Sequence, residues 1–282
     1  MDKLFNSPEE VVDLNIKAGV KKANLPFVKM FLLGILAGMF IAIGGEASSL
    51  ASHGVANVGL ARTITGAVFP VGLMMIVIVG GELFTGNTMI FMAVLQKEAS
   101  FLQYVRNLTV VFISNLVGSL LVVFLTYFSG QWNYSDGGLG AYTIKIALGK
   151  VNLGFGTAFT SGIMCNILVC VAVLMAIAAK DIAGKVWGIF FPIFAFVISG
   201  FEHCVANMYY IPAGMLAKTN PSYVNKAMEL YGITAEKLEN LSVFGMIKNM
   251  IPVTLGNIVG GAICVGAMLI FINKKCKQSR TK

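Results

Sequence analysis

The sequence predicts an all-α membrane protein in which six transmembrane helices form a 3+3 inverted repeat, with the second and fifth helices broken. Three observations predict this fold class. The 282 residues are 57% hydrophobic and only 12% charged, with a mean hydropathy of +0.80, which is too apolar for an ordinary soluble domain. The apolar residues fall into six runs of membrane-spanning length, and the two halves share polar motifs in the same order.

The six apolar runs cover about 30–51, 66–84, 108–129, 153–179, 186–216 and 249–273. Each is near or above the roughly 20 residues that a helix needs to cross the hydrocarbon core. The polar connection over 217–246 is predicted to be a loop with one short helix. Ahead of the first run, Ser7 and Glu10 form a capping box around Pro8, which predicts a short amphipathic helix at the membrane surface.

The basic residues predict the topology. Fourteen of the 21 lysines and arginines fall on the side that holds both termini, against seven on the other side, so the termini are expected in the cytoplasm. Residues 1–28 are then a cytoplasmic amphipathic helix, 29–273 the six-helix membrane domain and 274–282 a basic cytoplasmic tail. Because the basic residues form no patch interleaved with aromatics, the net charge of +8 indicates a lipid bilayer as partner and no nucleic acid.

Polar pairs recur in the two halves: Glu82 and Asn87 correspond to Glu202 and Asn207, and Asn115 corresponds to Asn257. Three membrane crossings repeated once must run in opposite directions, so the halves are predicted to form an inverted repeat. We predict a structural role at the helix breaks for Glu82, Glu202, Asn87, Asn207, Asn166 and Asn257. The carboxylates are expected to accept hydrogen bonds from backbone amides that the breaks set free.

His203 lies in the interrupted fifth run. An ionisable group at bilayer depth costs roughly 2.5–3.5 kcal/mol on insertion scales, so it normally faces a protein interior or an aqueous path. Imidazole exchanges protons near neutral pH, and inward-pointing helix N-termini at two facing breaks favour an anion. The sequence therefore indicates a path for a small negative or weakly acidic solute, with a structural histidine in a packed core as the alternative.

Four segments carry a family resemblance: 81–89 (GELFTGNTM), 165–170 (CNILVC), 200–208 (GFEHCVANM) and 251–257 (IPVTLGN). On these segments the chain resembles the formate/nitrite transporter family over residues 8–273. The resemblance implies a homopentamer of aquaporin-like protomers in a prokaryotic inner membrane, each with its own pore. It also implies transport of small anions of weak acids, and it leaves open whether the substrate is formate, nitrite or hydrosulfide.

The resemblance also assigns pore residues. The family's central histidine falls on His203, its threonine in the broken second span on Thr85, and its outer-side lysine on Lys150. Its apolar constrictions match Phe69, Leu73, Leu83 and Phe196. His203, assisted by Thr85, is expected to exchange protons with the substrate, while the N-terminal helix covers the cytoplasmic mouth. Thr85 as a back-bonded helix residue and Lys150 as a snorkelling lysine are the alternatives.

Other function classes have less support in the residues. Two histidines and five cysteines show no metal-ligand spacing, so no metal, haem or other cofactor is expected. The sequence contains no phosphate loop, zinc-protease motif or nucleophile elbow, so no enzyme is predicted. The alternatives that stay open are a membrane electron-transfer or enzyme subunit, a receptor or scaffold, and an aquaporin-like channel for neutral solutes.

Overall fold

The computed structural model describes residues 3–273, and this part of the chain is built from helices. In chain order the α-helices are α1 Pro8–Ala23, α2 Phe27–Ser52, α3 Val58–Val68, α4 Val71–Val79, α5 Phe84–Asn87, α6 Phe91–Leu95, α7 Phe101–Phe128, α8 Tyr134–Val151, α9 Phe155–Ala178, α10 Ile182–Ser199, α11 Cys204–Ala217, α12 Pro221–Tyr231, α13 Ala235–Glu239, α14 Val243–Ile258 and α15 Met268–Asn273. Short 3₁₀ helices cover Thr88–Ile90 and Gln131–Asn133, and a π-helix covers Val259–Ala267. The predicted basic tail over 274–282 lies outside the described residues.

Within residues 3–273, six segments are long and apolar enough to cross a membrane: Phe27–Ser52, Val58–Val79, Phe101–Phe128, Phe155–Ala178, Ile182–Ser199 and Val243–Asn273. The predicted all-α fold with six spans is confirmed. Several helices begin a few residues before the apolar run does, because polar side chains cap them there. Asn57 Oδ1 accepts the amide of Leu60 at 2.9 Å, and Ser100 and Ser242 cap α7 and α14 in the same way.

Both predicted interruptions are present. The second span stops at Val79 and resumes at Phe84, and the fifth stops at Ser199 and resumes at Cys204. Each break begins with a glycine at positive φ, which is +114° at Gly80 and +71° at Gly200. A side chain would strain the backbone at these positions, so glycine permits the chain to leave the helix there.

Helix α1 starts at the predicted capping box. Glu10 accepts the amide of Ser7 at 2.7 Å, and the hydroxyl of Ser7 accepts the amide of Glu10 at 3.4 Å. The ammonium of Lys3 and the amide of Ser7 lower the pKa of the Glu10 carboxyl to about 2. This pKa lies below the unfolded-state pKa of about 4.3, so the charged cap contributes fully to the free energy of unfolding when the pH is above about 4.3. It is lost only as the pH falls toward 2, so the cap does not titrate near neutral pH.

The apolar face of α1 is covered by protein. Val12 and Ile16 are buried in a cluster with Met89 and Met92, which follow the first break. The amide of Asn6 donates to the carbonyl of Ala178 at 2.9 Å, which ties the segment before α1 to the end of α9. The predicted helix is present, and its position at the membrane surface stays a prediction. The short helices after the first break leave an apolar surface that α1 covers.

Glycines bring the helices of each half into backbone contact. A Cβ added at Gly118 of α7 would overlap the carbonyl oxygen of Ile35 in α2. In the second half, a Cβ at Gly260 would overlap the carbonyl oxygen of Ile163 in α9. Small residues at such crossings allow the close helix packing that is common in membranes.

The two halves differ at the end of the sixth span. Val259–Ala267 is a π-helix, whereas α7 is α-helical throughout. A Cβ at Gly261 in the π-helix would overlap the hydroxyl of Thr88, and one at Gly266 would lie 3.2 Å from Cγ of Met92. The π-helix thus lies directly against the short helices that follow the first break.

The connection after the fifth span carries two helices, α12 and α13, where one was predicted. Thr234 caps α13 by accepting the amide of Lys237 at 3.3 Å. The Lys218 ammonium donates to the carbonyls of Leu238 and Leu241 at 3.0 and 2.9 Å, which ties the connection back to the end of α11. The prediction missed α13 because a single capped turn leaves no hydrophobic period to detect.

The close crossing at Gly118 provides a stability test. We expect Gly118→Ala to lower the unfolding free energy in detergent by about 1–3 kcal/mol, because the added methyl forces α7 away from Ile35. The measurement is the thermal unfolding midpoint of the purified protein. Gly149→Ala is the control, since its Cβ would meet no atom within 4 Å. Equal midpoints for both variants and the parent would contradict this account of the helix crossing.

Candidate functional site at the paired helix breaks

An asparagine holds the first break. Oδ1 of Asn115 accepts the amide of Phe84 at 3.0 Å, at the start of α5. Its Nδ2 donates to the carbonyls of Gly34 at 2.8 Å and Glu82 at 2.9 Å. One side chain therefore satisfies a backbone donor and a backbone acceptor that the break frees, and it ties them to α2.

The second break is held in the same way by Asn257. Its Oδ1 accepts the amide of Cys204 at 2.9 Å, and its Nδ2 donates to the carbonyls of Gly162 at 2.8 Å and Glu202 at 3.0 Å. Every atom of this pattern has its counterpart around Asn115. The agreement supports the inverted repeat that was predicted from the recurring polar pairs.

The two acids form ion pairs with lysines. Lys22 lies 3.3 Å from Glu82 and donates to Oδ1 of Asn87 at 2.7 Å. Asn87 in turn donates to Glu82 at 2.6 Å. The side chain of Glu82 is only 8% exposed, so its charge is compensated inside the protein.

The second acid has the equivalent partners. Lys150 lies 2.9 Å from Glu202, and Asn207 donates to the same carboxylate at 2.6 Å. The sequence analysis predicted that the two carboxylates would accept backbone amides freed by the breaks, but among the described residues neither carboxylate does so. Instead the amide of Glu202 donates to the hydroxyl of Ser161 at 3.0 Å, and the asparagine clamps take the amides that begin α5 and α11.

Sequence reasoning missed three residues of this arrangement: Lys22, Asn107 and Asn249. Asn107 accepts from Asn87 at 2.8 Å and donates to the carbonyl of Lys22 at 3.0 Å. Asn249 makes the matching bonds to Asn207 and to the carbonyl of Lys150, at 2.8 and 2.9 Å.

The sequence does contain a signal for Lys22. Lys22 precedes Gly34 by as many residues as Lys150 precedes Gly162, and these two glycines are the ones whose carbonyls accept from Asn115 and Asn257. Helices α1 and α8 therefore hold equivalent places in the two halves, whereas the predicted membrane boundary between residues 28 and 29 stays a prediction.

The halves differ where the chemistry is concentrated. His203 occupies the position in the second break that Leu83 occupies in the first. Nε2 of His203 lies 2.9 Å from the hydroxyl oxygen of Thr85, and both side chains are buried. The fully buried Thr85 thus pairs with His203 across the two breaks.

The tautomer of His203 follows from its second contact. The amide of Ala206 donates to Nδ1 at 3.0 Å, so His203 is also the N-cap of α11. A backbone N–H can only donate, so Nδ1 of the neutral ring carries no proton. The ring proton is therefore on Nε2 and is donated to Thr85, whose own hydroxyl proton stays available for another acceptor.

Asn166 supports Thr85 from α9. Its Nδ2 lies 3.2 Å from the carbonyl of Thr85, 3.1 Å from the hydroxyl of Thr88 and 2.5 Å from the carbonyl of Asn257. It therefore joins the segment after the first break to the asparagine clamp of the second. Asn166 lies at the breaks, as predicted, although its role there stays a prediction.

Two cavities lie at the breaks. The Lys22 cavity has a volume of about 420 Å³ and is lined by Lys22, Leu73 and Leu83 among others. The Lys150 cavity has a volume of about 400 Å³ and is lined by Lys150, Phe69, Phe196 and His203 among others. No described residue lines both cavities, so the two are separated by packed side chains.

The four predicted constriction residues are divided between these cavities. Phe69 and Phe196 meet edge to face with centroids 5.6 Å apart, and Phe196 stacks on His203 at 6.0 Å. Leu73 and Leu83 line the Lys22 cavity, and all four side chains are buried. Their role as constrictions of a pore stays a prediction.

Comparison with known proteins identifies the family. A family model described as "Formate/nitrite transporter" matches residues 9–271. The chain belongs to the formate/nitrite transporter family. It is 41% identical to a protein of Methanothermobacter thermautotrophicus named "Probable formate transporter", over 95% of this chain and 97% of that one. A formate/nitrite transporter is a multi-pass membrane protein and not an enzyme, so the enzyme and electron-transfer alternatives are set aside.

Solved structures agree with this membership. A structure described as "Pentameric formate channel with formate bound" is 37% identical, has a TM-score of 0.79 and covers 87% of this chain and 97% of its own. An aquaglyceroporin of Plasmodium falciparum has a TM-score of 0.50 at 13% identity, over 87% of this chain and 100% of its own. The second likeness concerns the fold alone, and it confirms the predicted aquaporin-like protomer of this formate/nitrite transporter.

The buried ion pair of Lys150 and Glu202 provides a second test. We expect Lys150→Met to lower the unfolding free energy by about 3 kcal/mol, because it leaves the Glu202 carboxylate buried without a counter-ion. The double variant Lys150→Met/Glu202→Gln should regain more than half of that loss, since the glutamine amide is neutral. Chemical unfolding in detergent measures both values.

Lys248→Met, at an exposed position of α14, is the control for loss of a lysine. It should unfold as the parent does. If the single and double variants at Lys150 and Glu202 are equally destabilised, the carboxylate is not charged and this description of the pair is wrong.

Proposed function

We propose that this transporter is a channel for small monovalent anions of weak acids, namely formate, nitrite or hydrosulfide, and that His203 exchanges protons with the substrate. The observation that carries the proposal is the hydrogen bond between His203, which lines the Lys150 cavity, and Thr85. Thr85 follows Leu83 of the Lys22 cavity by two residues, so the pair bridges the region between the cavities. The relatives named for formate make it the first substrate to test.

The apolar side chains explain why a proton is needed. A bare anion that passes Phe69 and Phe196 loses its hydration without gaining an equivalent partner, which is a large free-energy cost. The neutral acid loses much less hydration free energy on the same passage. A proton donor next to the constriction therefore lowers the barrier for a weak acid and does little for the anion of a strong acid.

The hydrogen bonds of His203 define the proton step. The resting ring donates from Nε2 to Thr85, and the Thr85 hydroxyl can donate to an anion. An arriving anion favours a second proton on the ring, which enters at Nδ1 as the bond from Ala206 opens. The Nε2 proton then passes through the Thr85 hydroxyl to the anion. One proton from the aqueous side thus ends on the substrate, and the ring is left neutral with its remaining proton on Nδ1. Exchange of that proton with solvent back to Nε2 restores the resting tautomer and the bond from Ala206.

The proposal includes an orientation. The excess of basic residues on the side of the termini supports cytoplasmic termini in a prokaryotic inner membrane. The Lys22 cavity would then open to the cytoplasm, where α1 contributes Lys21 and Lys22 to its lining. This position supports a covering role for α1 at the cytoplasmic mouth.

We propose a homopentamer as the assembly. The similarity to a structure described as a pentameric formate channel supports it. Native mass measurement of the protein in lipid nanodiscs tests it, and a mass other than five copies would exclude it.

A variant that keeps the helix cap but removes the imidazole tests the proton step. Asparagine is a favourable N-cap residue, so His203→Asn should keep the bond to Ala206 and fold as the parent does. We expect formate flux into liposomes at pH 7 to fall by about a hundredfold or more, the lower end of what one positioned proton-transferring group contributes. The remaining flux should follow the concentration of neutral formic acid alone.

Thr85→Val is the companion variant, because it removes the hydroxyl and keeps the shape of the side chain. Thr85→Val should also lower formate flux, as His203→Asn does. If His203→Asn conducts formate as well as the parent at every pH between 5 and 8, the proposed role of His203 is wrong.

A further inference from the structure

The lysine in the Lys150 cavity does not by itself give that cavity a positive charge. Lys150 lies 2.9 Å from Glu202, so the pair is neutral as a unit. Two other cations line the same cavity, Arg62 and Lys145. Within residues 3–273, neither of them forms an ion pair with a carboxylate. The uncompensated positive charge at this mouth therefore comes from Arg62 and Lys145.

Arg62 is held next to the second helix break. Its Nη1 donates to the carbonyl of Ile198, at the end of α10, at 3.1 Å. A Cβ added at Gly200 would lie only 2.6 Å from the same nitrogen, so the guanidinium lies against the first residue of the break. One N–H group thus fixes the guanidinium, and no other described acceptor bonds it. The remaining donors are free to bind a ligand in the cavity.

Lys145 is fixed by aromatic rings. Its ammonium lies 4.3 Å from the centroid of the Tyr231 ring and 5.5 Å from that of Tyr142. A cation over aromatic faces keeps its full charge, because the rings have no net charge to neutralise it. Lys145 therefore provides a long-range attraction for anions, whereas the planar guanidinium of Arg62 presents its N–H donors in a fixed arrangement.

The guanidinium fork discriminates among the candidate substrates. Formate and nitrite each present two oxygens in one plane, which a guanidinium can bind through two parallel hydrogen bonds. Hydrosulfide has a single heavy atom and cannot form such a pair. The cavity of about 400 Å³ is much larger than formate, so the anion can be captured with part of its hydration.

The other mouth lacks this feature. Arg62 precedes Gly80 by the same number of residues as Ile182 precedes Gly200, so Ile182 is the counterpart of Arg62 in the second half. Among the described residues that line the Lys22 cavity, the cations are Lys21, Lys22 and Lys29. Arg106 donates to the carbonyl of Leu25 at 3.3 Å but does not line the Lys22 cavity. Among the described residues, an arginine therefore lines the Lys150 cavity only.

We propose that Arg62 forms an anion-capture site in the Lys150 cavity, which binds planar oxyanions before they reach Phe69 and Phe196. The proposal rests on the transport function above and adds a specificity-determining residue to it. It assigns a preference for formate and nitrite over hydrosulfide to the Lys150 side of the protein. Flux that starts from the Lys22 side does not share this preference.

The test compares three anions in membrane vesicles of defined orientation. For flux that starts from the Lys150 side, Arg62→Gln should raise the half-saturating concentrations of formate and nitrite by about threefold to tenfold, the weight of one partly exposed charge-assisted pair. Hydrosulfide flux should change by less than about twofold. Lys248→Gln removes an exposed lysine that lines neither cavity and should leave all three fluxes unchanged.

Arg62→Lys keeps the charge but loses the fork, and it serves if the glutamine variant folds poorly. It should raise the half-saturating concentration of formate by about twofold to threefold, and that of hydrosulfide not at all. An equal loss for all three anions would mean that Arg62 only positions Ile198, and the capture site would be wrong. Unchanged half-saturating concentrations of formate and nitrite would also overturn the capture site. The proposed proton transfer by His203 and Thr85 would be unaffected by that result, because His203→Asn and Thr85→Val test it separately.

Discussion

The structure depends on one constraint, which is that backbone donors and acceptors inside a membrane must find partners within the protein. Two spans are broken, and each break frees groups that no helix can satisfy. Asn115 and Asn257 answer this need with the same three bonds each. The ion pairs and cavities described above are arranged around these two clamped breaks.

The inverted repeat creates the framework, and departures from it create the chemistry. The clamps, the acids and their lysines are all paired between the halves. His203 replaces a leucine, and Arg62 has an isoleucine as its counterpart. A symmetric frame thus holds two similar cavities, while single substitutions place a histidine and an arginine in the lining of one cavity only. This explains how a channel with a nearly symmetric backbone can treat its two mouths differently.

The spans, the breaks and the recurring acids and asparagines were predictable from the sequence, because hydropathy and identical spacing leave visible traces. Lys22 was not, since nothing local connects a lysine of an amphipathic helix with a carboxylate sixty residues later. The residues against which α1 packs were not predictable for a similar reason, because its apolar face suits protein and lipid equally. The tautomer of His203 depends on the direction of the Ala206 amide, which only coordinates provide.

Amide hydrogen exchange in lipid nanodiscs tests the clamped breaks most directly. The account predicts slow exchange in peptides covering 80–87 and 200–207 of the parent protein, because the amides of Phe84 and Cys204 are bonded to asparagine side chains. Asn257→Leu should speed exchange at least about tenfold in the 200–207 peptide and leave the 80–87 peptide unchanged. Exchange in both parent peptides as fast as in the exposed connection before α9 would contradict it.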